Sequence, residues 1–157
     1  MRRFLRLLFN PEAKAWHFVE RCQIACKEHA QSHPEFEPHQ LLGHLWGKTR
    51  RIRRRGRDPA LRKPAFVATY LYACLPPSDG PRALGLAIAL SAYPKTAGKY
   101  PALGQEYDRL MAPVFEAQRN GGLHALYAKH NPRLAAETQW EANEGLPASS
   151  VDRPCSE

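Results

Sequence analysis

Two stretches of this chain, AFVATYLYACL at 65–75 and ALGLAIALSA at 83–92, are apolar almost all round. A surface helix needs only an apolar stripe; a segment apolar on every side belongs in the interior. Each is far shorter than the roughly 18 residues of a membrane span. Composition then decides between helix and strand. Ala and Leu together number 40, whereas Val, Ile and Thr number only 11. Ala and Leu favour helices, and the β-branched residues that build sheets are scarce. The chain is therefore expected to be all-α, a compact bundle of about six helices with 59–75 and 83–92 at its centre. At 157 residues it is one domain. It is long enough to bury roughly two-thirds of its unfolded surface without a disulfide or metal.

Prolines and glycines set the helix limits. Asn10-Pro11-Glu12 reads as a capping side chain, a first-turn proline and a first-turn acid. Asp58-Pro59 and Pro101 repeat that logic, while Gly98, Gly121 and Gly122 mark helix ends. The pattern predicts an amphipathic turn at 2–9. Helices follow near 11–31, 37–55, 59–75 with a break at Pro64, 81–92, 101–119 with a kink near Pro113, and 122–130. A weaker helix is expected at 133–143. The helical domain is thus placed at 1–132, and 133–157 is read as an acidic, weakly helical to mobile tail. Helix 11–31 lines up Ala15, Phe18, Val19, Cys22, Ala25 and Cys26 on one stripe, and 101–119 does so with Leu103, Tyr107, Leu110, Met111 and Val114. Gly85 and Ala89 are expected to let a neighbouring helix approach closely.

Positive charge is concentrated. The block 48–63, KTRRIRRRGRDPALRK, carries nine bases and one acid, so its +8 equals the net charge of the whole chain. Ala, Gly, Pro and Arg all have GC-rich codons, so the overall Arg count says little and the clustering says more. Continued at 100° per residue, Leu41, Leu45 and Ile52 fall on the inward face and Arg50, Arg53, Arg54 and Arg57 on the opposite one. Arg51 and Arg55 lie on the flanks. Like charges four residues apart, Arg50–Arg54 and Arg51–Arg55, oppose helix formation slightly. A polyanion would relieve that conflict, and local conflicts tend to fall at functional sites. The expected function is therefore binding of DNA or RNA through its phosphate backbone, in a regulatory or accessory role. The candidate residues are Lys48, Arg50, Arg51, Arg53, Arg54, Arg55, Arg57, Lys95 and Lys99. The alternative is a protein-interaction module, an inhibitor or adaptor that docks this basic face on an acidic protein or a membrane-associated complex.

Other constellations weigh less. In YPKTAGKY at 93–100, Lys95 and Lys99 sit beside Tyr93 and Tyr100, a pattern that suits base stacking or plain packing on the bundle. Cys22, Cys26, His29 and His33 share one helical face, but four ligands spread over roughly 16 Å of one helix cannot close a tetrahedron. His39 or His44 would have to complete such a site, so no metal and no cofactor are expected. His124 and His130 are the only hint of acid–base chemistry, with no nucleophile elbow, HExxH or phosphate loop, so no enzyme activity is expected. Glu137, Glu141 and Glu144 share a face that would complement the Arg ridge and cover it. The N-terminal MRRFLRLLFNP is too short and too broken for a secretory signal. With four unpaired-looking cysteines this suggests a reducing, cytoplasmic setting.

Overall fold

A computed structural model describes residues 10–55, 63–92 and 100–137. Among the described residues every regular element is a helix, and there are eight. They are α1 (Pro11–Ser32), α2 (Pro38–Lys48), α3 (Arg50–Arg55), α4 (Ala65–Ala73), α5 (Asp79–Ala92), α6 (Pro101–Arg119), α7 (Leu123–His130) and α8 (Pro132–Glu137). None is long and apolar enough to cross a membrane. The expected turn at 2–9, the segment 59–62, the Tyr/Lys loop at 93–99 and the tail from 138 onward lie outside the described residues.

Local chemistry explains the helix limits. The Asn10 side chain accepts hydrogen bonds from the backbone N–H of Glu12 (3.0 Å) and Ala13 (3.2 Å), which satisfies two orphan donors of α1. Helix α2 starts at Pro38, and the Glu37 N–H donates to Gln40 Oε1 at 2.9 Å. Pro64 precedes α4 and fixes the break expected there. Helix α6 continues through Pro113, whose ring lies on the exposed side.

Two expectations need correction. The helix expected over 37–55 is divided at Thr49 into α2 and α3. The stretch 65–75, expected to be wholly interior, leaves Phe66 38% exposed and Ala65 exposed. Only Thr69, Tyr70 and Ala73 of α4 are fully covered, because α4 lies against α2, α5 and α7 without being enclosed by them.

Helix α5 is the true centre. It packs against α1, α2, α3, α4 and α6, and Ala83, Leu84, Leu86, Ile88 and Ala89 are essentially inaccessible. The predicted stripe of α1 contributes Ala15, Val19, Cys22 and Cys26, and that of α6 contributes Leu103, Leu110, Met111 and Val114. Burial pushes the Cys22 thiol up to about 12 and the Cys26 thiol to about 11, so both behave as small apolar groups. At the rim, Glu106 on α6 accepts from Arg82 Nε on α5 (2.9 Å) and Arg109 Nε (2.9 Å). Arg109 and Arg82 together hold its carboxyl down near 2 against the opposing cost of burial. Arg82 also donates to Gln23 on α1 at 3.1 Å, so one guanidinium ties three helices.

The expected close approach at Gly85 is present. A Cβ there would stand 3.2 Å from Cys22 Cβ and 3.3 Å from Val19 Cα. Gly104 on α6 is a helical glycine with open space around it. Denaturant titration should therefore separate the two: Gly85→Val should lose about 1–3 kcal/mol by overpacking, and Gly104→Ala should gain roughly 0.5–1 kcal/mol from helix propensity. Equal effects at both sites would contradict this packing.

Candidate nucleic-acid interface

The basic block is built on the joint between α2 and α3. Leu41, Leu45 and Ile52 do form its inward face; the first two are buried and Ile52 packs on the core. Thr49 interrupts the helix at φ −83° and ψ 3°. Its N–H still reaches Leu45 O at 3.1 Å, and Arg53 N–H reaches Thr49 O at 3.1 Å, so helical phase is kept across the joint. The Thr49 hydroxyl donates to Trp46 O at 3.0 Å, a side-chain bond that competes with the regular ladder.

Arg53 departs from the outward ridge the wheel predicts. Its guanidinium carbon lies 3.6 Å above the Trp46 ring. Its Nη2 donates to Trp46 O at 2.8 Å and its Nε to Thr49 Oγ1 at 3.3 Å. The wheel assigns an angle to a Cα, but a long flexible side chain turns back when a carbonyl and an aromatic face are in reach. Arg53 thus closes the C-terminal end of α2. Burial, and then the nearby Arg50, lower its pKa.

Lys48, Arg50, Arg51 and Arg54 are exposed. Among the described residues none is ion-paired to a carboxylate. The structure brings these four together over seven residues. The Arg55 side chain, Arg57, Lys95 and Lys99 lie outside what is described. Beside the joint, Trp46, Lys63, Val67, Leu71, Tyr72 and Ile88 help line a groove of about 180 Å³.

Sequence reasoning missed a polar cluster beneath α2. His39 is 4% exposed; its Nδ1 is 2.7 Å from Tyr127 Oη and its Nε2 is 3.2 Å from Phe66 O. The Nε2 therefore carries the proton and donates to that carbonyl, leaving Nδ1 to accept from the tyrosine hydroxyl. Asn131, fully buried, accepts from His39 N–H (2.9 Å) and donates to Ala73 O (2.8 Å) and Tyr127 O (3.1 Å). Glu37 accepts from the N–H groups of Arg133 and Leu134, both at 2.9 Å, at the start of α8. Apart from the bonds His39–Phe66 and Asn131–Tyr127, these partners are about 60 to 100 positions apart, so no local spacing announces them. The described part of the acidic segment is consequently anchored at the N-terminal end of α2, away from α3. Glu137 is exposed there, while Glu141 and Glu144 are outside the described residues.

The metal candidates are arranged otherwise than as ligands. Cys22 and Cys26 sit in the core, and the His29 ring stacks on His44 from α2, with centroids 3.7 Å apart and planes at 8°. Among the described residues no three His, Cys, Asp or Glu side chains are posed to hold a metal ion. His124 is exposed and His130 half-buried on α7, where burial and then Lys129 lower the His130 pKa. No protein-family model, curated protein or solved structure matches this chain.

Two predictions follow from this geometry. Arg53→Gln should cost about 1–2 kcal/mol in a denaturant titration, because it removes a charged bond to Trp46 O and the ring contact. Arg54→Gln, on the exposed side, should stay within about 0.5 kcal/mol of wild type. Second, burial lowers His39 from 6.5 to about 4, against the small opposing effect of its bond to Phe66 O. A depressed folded-state pKa means the folded protein favours the neutral ring. The contribution is complete above pH 6.5 and is lost as pH falls toward 4. The loss should reach about 3 kcal/mol, and His39→Gln should flatten it in stability measurements across that window.

Proposed function

We propose that this protein binds the phosphate backbone of DNA or RNA through the exposed face of the α2–α3 joint, acting in the cytoplasm in a regulatory or accessory role. The observation that carries the reading is the group Lys48, Arg50, Arg51 and Arg54: four exposed cations on one short, rigidly docked segment. Guanidinium groups suit phosphate oxygens because their forked donors match two acceptors at once. Holding them on a helix joint fixed by Arg53 and Trp46 reduces the ordering cost of binding. Recognition in this reading rests on charge and shape, since nothing in the cluster is specific to a base edge.

A second reading keeps the same surface and changes the partner. The groove lined by Trp46, Val67, Leu71 and Ile88 adjoins the basic joint, with Lys63 among its lining residues. An acidic protein segment with an apolar anchor would use both features.

Fluorescence anisotropy with labelled duplex DNA, single-stranded DNA and RNA, across a salt series, tests the first reading. Wild type should show a steep loss of affinity with salt. A variant with Lys48, Arg50, Arg51 and Arg54 changed to Gln should lose roughly three to four units of the logarithmic salt slope. Arg53 is left intact so that the joint keeps its structure. No binding at about 50 mM salt, or an unchanged slope in the variant, overturns the nucleic-acid reading and favours the protein partner.

A further inference from the structure

The histidine stack adjoins the basic joint. His44 and Lys48 lie four residues apart on α2, and Arg51 follows three residues later in the phase kept across Thr49. These three positions form one face. His29 of α1 covers the His44 ring at 3.7 Å, and His33 continues the row with its centroid 4.6 Å from His29. The basic face therefore ends in three imidazoles, supplied by α1, its C-cap and α2. Nε2 of His44 is buried and has no hydrogen-bond partner, which packing alone does not explain.

We propose that His29 and His44, with His33 beside them, are the proton-linked end of the polyanion surface: a phosphate docked against Lys48 and the imidazoles draws a proton from solvent onto the stack. This rests on the backbone-binding reading above. The groups that face the stack are known from each side. His33, which caps the end of α1, and Lys48 on α2 oppose a positive charge on both rings, and Glu35 in the connecting turn favours one on His29. Burial is the largest effect on each ring, and the net result is that both titrate below the ordinary histidine value. Glu35 Oε1 already lies 3.3 Å from His33 Nδ1, and a phosphate adds a further negative charge that reverses the balance at His29 and His44. One proton is the natural limit, because a second would set two cations face to face at stacking distance. Linkage then requires that affinity rise as pH falls, with uptake of about one proton per binding event.

The test is anisotropy with duplex DNA at one fixed low salt concentration, at about pH 7.5 and about pH 5.5. Up to one proton taken up across this two-unit window should tighten wild-type binding by roughly ten- to a hundredfold. The double variant His29→Gln, His44→Gln should bind at both pH values with little change between them. His17, His39, His124 and His130 remain in it as internal controls, and His33 remains beside Glu35. If circular dichroism shows the double variant unfolded, the single variant His29→Gln takes its place. Wild-type binding that does not change with pH, or an equal change in the variant, overturns the inference and leaves the backbone-binding reading standing. No binding of duplex DNA, single-stranded DNA or RNA at either pH, with the protein folded, overturns both.

Discussion

The close approach of α1 and α5 at Gly85 sets the dimensions of the whole fold. With no side chain at that point, Val19 and Cys22 press against the α5 backbone, and α5 becomes a rod surrounded by other helices. A rod enclosed in this way can carry few polar groups, which is why 83–92 is apolar all round. A second contact of this kind lies at Gly80, where a Cβ would come within 2.8 Å of Tyr72 O. The start of α5 is thereby held against the end of α4. The remaining helices are placed by what these two contacts leave uncovered.

Helix α2 is fixed at both ends, by different chemistry. At its start, His39, Tyr127, Asn131 and Glu37 join α2 to α4, α7 and α8 through buried and part-buried bonds. Buried polar groups demand specific partners, so this end has one arrangement. At its finish, Thr49 and Arg53 close the Trp46 carbonyl while the guanidinium covers the indole. The result is a short basic helix whose outer side chains are held away from the core. One arginine secures the platform, and its neighbours supply the exposed charge.

This arrangement puts the like-charge conflict of RRIRRR in context. Arg53 has left the ridge for a neutral carbonyl and an aromatic face, which spreads the positive charge over two directions. Arg50, Arg51 and Arg54 keep the repulsion that the sequence implies. The histidines across the α1–α2 contact sit in the same positive field, lowered further by each other. Charge and titration are therefore coupled along one face of α2.

The sequence by itself determined the helical class, the central position of 83–92, the inward stripes of α1 and α6, and the close approach at Gly85. All of these follow from periodicity and side-chain volume, which are local properties of a chain. It also placed the charge, because a run of arginines needs no partner to be seen. It did not show that Arg53 would fold back, since the carbonyl and ring that attract it are exposed to it only at the Thr49 break. Nor did it show the cluster around His39. His39 and Asn131 are 92 residues apart, and each looks locally like a solvated polar residue. Tertiary structure alone decided which polar groups went inside, because a buried hydrogen bond depends on what two distant segments present to each other.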